Sequence, residues 1–422
     1  MTSTDPLSHV ELVTIGDELL LGFTIDTNAA HLARHLAAIG VAIVRRTTVG
    51  DDAAQIAQAV REGLDRAGAV ITTGGLGPTS DDLTKPAIAA IFGREMVLDE
   101  EHLVWMEQRW KQRFDKPLPA ANRQQAMIPA GARKLTNNHG SAPGIWLEDE
   151  RGRWVAMLPG VPREMRGMLD DTLLPMLRER VAGGSVVRSL TLRTTSVGES
   201  LLADRIAAMG GGSLGVSLAY LPSAPGVDLR LTVRATSVTA ADVILVGAAV
   251  RLRQVLGEAI YGEQETDLAA VVLDLCRARH LTIGVAESCT GGLLGGRLTS
   301  IPGSSDVVLG GVIAYSDEIK QSLLGIDPTL IWTYGAVSEQ VVKQMAAGVR
   351  RATGATLGLA ITGVAGPAGG TPEKPVGTVW MCVDLEGTVH AQLFKLWGDR
   401  EEIRYRAVQA ILDVTRRRLE TA

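Results

Sequence analysis

The chain has 422 residues, enough for two to four domains at roughly 150 residues each. Hydrophobic residues make up 46% and charged residues 21%, which gives each domain an ordinary core and argues against a disordered chain. The formal net charge of -5, with no Lys/Arg-rich tract, argues against nucleic acid as a direct partner, and no run approaches the ~20 apolar residues of a membrane helix.

Only 4% of residues are aromatic and 47 are glycine, which fits small-residue α/β packing with many backbone-lined loops. Cys276, Cys289 and Cys382 have neither paired nor metal-ligand spacing, so a reduced, cytoplasmic protein is expected. Residues 1–8 are polar and lack the apolar centre of a signal peptide.

In chain order, residues 10–15 read as a short apolar strand that runs into the loop Gly16-Asp17-Glu18. Leu32, Leu36 and Ile39 follow at helical spacing, then a strand at 41–49. Ile56, Val60 and Leu64 mark a second amphipathic helix closed by Gly68, and residues 69–73 a third strand. This βαβαβ order predicts a parallel, three-layer sheet, whose ligands bind beyond the carboxyl ends of the strands. There lies the loop Gly74-Gly75-Leu76-Gly77-Pro78-Thr79, followed at once by Asp81 and Asp82. Its amides suit phosphate, and its carboxylates suit an oxygen-coordinated divalent metal. The alternative is that Asp81 or Asp82 simply caps a helix at Leu83.

A second, smaller unit runs from about 187 to 261, with strands near 189–196 and 227–236 and helices near 199–209 and 239–256. Its Gly210-Gly211-Gly212 run reads as a turn rather than a ligand loop.

A third unit opens on a helix with Leu268, Val272 and Leu275 on one face, then a strand that delivers Ser288 into the turn Cys289-Thr290-Gly291-Gly292. A helix at 293–298 would place these amides at its N-terminus, favouring developing negative charge or phosphate. Ser288 and Cys289 are rival nucleophiles, because neighbouring side chains face different ways. Lys320 follows a strand at 307–315 and is a candidate base for Ser288, provided that it is neutral; a solvated lysine is the alternative. The loop from Gly363 through Gly366, Gly369 and Gly370, with Lys374 after it, suits an anion or is a plain surface turn. Arg400 and Arg404 open a last helix, for which Asp399 and Glu402 form a capping-box pattern.

These stretches together resemble the competence/damage-inducible protein A (CinA) family. GDELLLG at 16–22, TTGGLGPTSDDLT at 72–84 and LPGVPREM at 158–165 resemble its molybdopterin-binding-like domain. AYLPSAPGVDLRLT at 219–232 resembles its KH-like connector. AESCTGG at 286–292, YSDEIK at 315–320, GAVSE at 335–339 and ITGVAGPAGGTPEKPVGTVW at 361–380 resemble its nicotinamide-nucleotide amidase domain.

The resemblance implies an α/β fold in three parts: a three-layer parallel-sheet domain at 1–175, a small α+β connector at 176–262 and an α/β amidase domain at 263–422. It implies hydrolysis of the carboxamide of nicotinamide mononucleotide by a Ser288–Lys320 pair without a metal, with Tyr315 and Thr362 as substrate or oxyanion contacts. Backbone amides near Thr290-Gly291-Gly292 are expected to hold the oxyanion. For the first domain it implies cleavage of ADP-ribose or a related pyrophosphate with Mg2+ or Co2+, through the loops at Gly16-Asp17-Glu18 and Gly74 to Asp82. The partners are small nucleotides, with a homodimer expected from the related domains. Asp317 departs from the Asn that the family pattern leads one to expect, and it is expected to leave the catalytic pair untouched. The alternatives are a pyrophosphatase with an inactive third domain, and a non-catalytic adaptor.

Overall fold

The structure is a computed structural model that describes residues 9–180, 185–209, 214–224 and 226–421. The polar start at 1–8 and the Gly210-Gly211-Gly212 turn lie outside the described residues. The chain divides into two compact units, one of residues 1–188 with 234–243, the other of 189–233 with 244–422.

In the first unit β1 (His9–Ile15), β2 (Ala42–Val49) and β3 (Ala69–Thr73) alternate with α1 (Asp17–Leu20), α2 (Thr27–Ala38) and α3 (Ala53–Ala67). Asp26 and Asp52 cap α2 and α3 by accepting the amides of Ala29 and Gln55, and Gly68 ends α3 in the left-handed conformation. There follow α4 (Thr84–Ile91), the ribbon of β4 (Met96–Leu98) and β5 (Met127–Pro129), and α5 (Glu100–Phe114) between them. Then come β6 (Arg133–Leu135), β7 (Gly144–Glu148), β8 (Trp154–Leu158), α6 (Pro162–Met168) and α7 (Leu174–Arg180).

The main sheet has the order β2-β1-β3-β8-β7-β6. Four strands are parallel, as the βαβαβ pattern implies, but β7 and β6 run antiparallel at one side, so the sheet is mixed. Strand residues alternate strictly between two cores. Leu12, Ile71, Ala156 and Leu158 pack with Leu32 and Leu36, whereas Val13, Val70, Val155 and Met157 pack with Ile56, Val60 and Leu64. Both faces are covered, which is the three-layer arrangement.

The connector sheet has the order β10-β11-β9-β12, built from β9 (Val186–Thr194), β10 (Ser217–Pro222), β11 (Val227–Ala235) and β12 (Ile260–Glu263). Its helices are α8 (Glu199–Ala207) and α9 (Val238–Leu256). The sequence pattern missed β10 and β12; both are short, and β12 holds only four residues.

The C-terminal sheet has the order β14-β13-β15-β16-β17: β13 (Ile283–Glu287), β14 (Val308–Ile313) and β15 (Leu357–Gly363) are parallel, while β16 (Thr378–Leu385) and β17 (Thr388–Lys395) are antiparallel. Val285, Leu359 and Met381 pack on one face against α10 (Leu268–Ala278), α11 (Leu293–Thr299) and α15 (Arg400–Thr421). Ala286, Ala360 and Cys382 face the other way, toward α12 (Asp317–Leu324) and α14 (Glu339–Thr353), with α13 (Pro328–Tyr334) between those two in sequence. The capping box of α15 is reciprocal: the Asp399 amide donates to Glu402 at 3.0 Å and the Glu402 amide to Asp399 at 2.9 Å. Among the described residues no helix is long and apolar enough to cross a membrane.

Candidate active sites

At the carboxyl edge of the N-terminal sheet, the two glycine loops meet a third segment at the end of β2. The Asp17 amide donates to Asp51 at 3.0 Å, and the Asp51 amide returns to Asp17 at 3.3 Å. Gly74 holds a φ of 109°, and a Cβ there would lie 2.1 Å from the Ile15 carbonyl oxygen. Only glycine lets the β3 loop approach β1 so closely.

Asp82 does not cap α4, whose N-cap is Leu83 with no side-chain bond. Instead its carboxylate accepts the amides of Gly77 at 2.7 Å and Thr79 at 2.8 Å, together with the Thr79 hydroxyl, so it fixes the loop. The resulting cavity, about 390 Å³, is lined by Gly16, Glu18, Asp51, Gly74, Gly75, Gly77, Asp81, Asp82 and Glu164 among others. Burial, with the charges of Asp17, Glu18 and Asp81, pushes the Asp51 carboxyl above its usual value. Asp51 and Glu164 escaped the sequence reading. Their only signal was position, Asp51 just past the end of β2 and Glu164 in the turn into α6.

At the carboxyl edge of the C-terminal sheet, Ser288 leaves β13 half-buried, its amide bonded to the Ile361 carbonyl at 3.0 Å. Among the described residues its hydroxyl has no partner. Cys289 points into the core, where burial pushes its thiol up to about 12, so of the two neighbours Ser288 is the one that keeps an accessible side chain. The next strand end is tied alongside by the Ala314 amide on the Glu287 carbonyl at 2.7 Å. From α12 Lys320 reaches back under that end, donating to the carbonyls of Tyr315 at 3.3 Å and Ser316 at 3.5 Å.

Lys320 is thus 2% exposed, not solvated, and belongs to the same sheet edge as Ser288. The two make no hydrogen bond to each other. Lys320 instead pairs with Asp317 at 3.2 Å, so the departure from the family motif does touch the expected pair.

Free amides after Ser288 were expected, and the structure corrects this. Glu287, buried at the strand end, swings its carboxylate into the start of α11 and accepts the amides of Gly292 (3.0 Å), Leu294 (3.1 Å) and Gly295 (2.8 Å). The Gly291 amide bonds back to the Ser288 carbonyl at 3.1 Å. A carboxylate already compensates this helix start, which removes its attraction for a second anion. The Thr290 amide remains without an acceptor among the described residues, and the Thr290 hydroxyl is buried without a partner.

The remaining candidates divide. Arg400 donates to the Gly366 carbonyl at 2.6 Å and to the Tyr315 hydroxyl at 2.9 Å, clamping the glycine loop to the β14 end. Arg404 donates to the Thr290 carbonyl at 2.7 Å. Thr362, next to Ile361 in β15, spends its hydroxyl on the Ala336 carbonyl at 2.9 Å. Lys374 donates to the Tyr334 carbonyl at 2.6 Å and so caps the end of α13 rather than facing Gly363. The amides of Gly369 and Gly370 have no protein acceptor among the described residues.

Comparison with known proteins agrees along the whole chain. The family model for the probable molybdopterin binding domain matches residues 11–179, that for the damage-inducible protein CinA KH domain 189–262, and that for the CinA C-terminal domain 265–419. A CinA-like protein of Gemmatimonas aurantiaca is 63% identical over 97% of this chain and 96% of its own. A putative competence-damage inducible protein of Moorella thermoacetica is 42% identical over 96% and 97% respectively. The crystal structure of the competence/damage inducible protein CihA from Agrobacterium tumefaciens covers 35% of this chain and 90% of its own at 39% identity, with a TM-score of 0.34.

Proposed function

The chain belongs to the CinA family, and from that premise we propose that its C-terminal sheet carries a serine amidase that converts nicotinamide mononucleotide and water to nicotinate mononucleotide and ammonia. The observation that carries this reading is the convergence of Ser288, buried Lys320, Tyr315 and the Arg400-clamped glycine loop on one sheet edge. The substrate phosphate docks on the free amides of Gly369 and Gly370, in the loop whose Gly366 carbonyl Arg400 holds.

The Ser288 oxygen attacks the carboxamide carbon while its proton passes to Lys320, which must first give up its own proton and open its ion pair with Asp317. The amides of Cys289 and Thr290, both without an acceptor among the described residues, are the donors left for the oxyanion, a contact typically worth about 10²–10³ in rate. The C–N bond breaks with protonation of the leaving ammonia, and water then hydrolyses the Ser288 ester. The test is ammonia release from nicotinamide mononucleotide by the purified chain, with and without EDTA. Release that is insensitive to EDTA and lost in Ser288→Ala supports the reading; release retained in Ser288→Ala sinks it.

The acidic cavity of the first unit favours a second activity, hydrolysis of a nucleotide pyrophosphate such as ADP-ribose with Mg2+ or Co2+. Glu18, Asp51, Asp81 and Glu164 line the cavity with oxygen ligands of the kind such an ion takes, and the like charges around Asp51 favour a cation, although among the described residues no three of these carboxylates bring ligand atoms within 4.8 Å of one another. When bound, the metal supplies charge neutralisation of the pyrophosphate. The chain's own share is the loop that Asp82 braces, in which the Gly75 amide has no acceptor among the described residues.

A further inference from the structure

One cluster in the N-terminal unit belongs to neither site. We propose that His31, His35 and Asp170 bind a divalent transition-metal ion of the zinc class. Helix α2 sets His31 and His35 four residues apart, hence on one face, with ring centroids 3.9 Å apart and planes inclined by 29°. Asp170 comes from a π-helical turn, Leu169–Leu173, between α6 and α7. Such turns are rare and concentrate at functional sites. One ligand atom from each of the three residues lies within 4.8 Å of the others.

The protonation states suit a metal. His35 Nδ1 lies 2.9 Å from the His31 carbonyl, which can only accept, so the proton sits on Nδ1 and Nε2 keeps its lone pair. A backbone carbonyl orienting the distal nitrogen is the usual support for a ligating imidazole. His31 Nε2 is buried with no protein partner among the described residues, a vacancy that a metal bond fills. Arg166 and Arg34 oppose a cation here, and Asp170 offsets them in part. Two imidazoles and one carboxylate select Zn2+, Co2+ or Ni2+ over Mg2+, which prefers an all-oxygen shell.

The full chain, stripped with EDTA, is titrated with ZnCl2 by calorimetry and with CoCl2 by visible absorption, in excess Mg2+. One ion per chain is expected, with d–d bands for Co2+ and a loss of at least about tenfold in affinity in His35→Gln and in Asp170→Asn. Asp170 is exposed, so its substitution leaves the fold intact even where a His31 change disturbs packing. Asp82→Ala separates this site from the loop cavity and is expected to leave uptake unchanged. No uptake, affinity in both ligand variants unchanged from the unsubstituted chain, or uptake lost in Asp82→Ala overturns the proposal.

Discussion

The two sheets offer their loops in the same way and charge them oppositely. At the carboxyl edge of the N-terminal sheet, Glu18, Asp51, Asp81, Asp82 and Glu164 surround the glycine loops. At the carboxyl edge of the C-terminal sheet, Lys320, Arg400 and Arg404 surround Ser288 and its loops. A cavity of carboxylates repels a phosphate until a cation intervenes, whereas a cationic edge suits an anionic ligand directly. Carboxylates that accept backbone amides are used differently too. Asp82 ties down amides of the loop that lines the first cavity, and Glu287 occupies the helix start at which a second anion was expected.

The largest expected effect is a double dissociation. Lys320→Met removes the proposed base and is expected to lower deamidation by at least about 10² while leaving metal-dependent pyrophosphate hydrolysis within about twofold. Asp82→Ala releases the Gly77 and Thr79 amides and is expected to do the reverse. Both activities, followed in parallel by ammonia release and by nucleotide chromatography, decide it. A variant that silences both would mean that the two edges do not work separately.

A smaller effect tests the cationic edge. Arg400→Ala frees the Gly366 carbonyl and the Tyr315 hydroxyl together. Because it touches the loop and not the reacting atoms, it is expected to raise KM about tenfold with kcat within about threefold. A fall in kcat at unchanged KM would transfer Arg400 to the chemistry. Smaller again is Asp317→Asn. The Lys320–Asp317 pair has an exposed partner, with a side chain 47% accessible, and such pairs are worth about 0–1 kcal/mol. Removing the carboxylate frees Lys320 Nζ from this pair and is expected to leave the deamidation rate within about fivefold. A tenfold loss would show that Asp317 holds Lys320 in place.

How far the sequence led differs between these edges in physical terms. Local pattern sufficed for what is local: the alternation in β1, β3 and β13, the period of α2 and α3, and the capping box at Asp399. It also sufficed to bring Ser288 and Lys320 to one sheet edge, because both follow strand ends, where ligands bind in open α/β sheets. It did not suffice where a side chain reaches across sequence. Nothing near Glu287 in one dimension says that its carboxylate folds forward onto Gly292, Leu294 and Gly295. Asp51 joins the first cavity only because β2 and β1 run side by side in register. Lys374 read as a phosphate ligand until the end of α13 supplied it with the Tyr334 carbonyl.

The smallest expected effect is none at all, and it still bears on the nucleophile. Burial pushes the thiols of Cys276, Cys289 and Cys382 up to about 12, against 9.0 in an open chain. At pH 8 that leaves a thiolate fraction of about 10⁻⁴, too little for alkylation on the scale of minutes. Iodoacetamide at pH 8 is therefore expected to label no cysteine of the folded chain, to label all three in denaturant, and to leave ammonia release unchanged. The same shifts carry a sign for stability. A thiol whose proton is held more tightly in the folded state stabilises the fold below pH 9 and loses that contribution as pH rises from about 9 to about 12. Thermal unfolding is thus expected to shift to lower temperature across that window. Labelling of Cys289 in the folded chain, with activity falling in proportion, would reopen the choice between the two neighbours and remove Ser288 from the proposed mechanism.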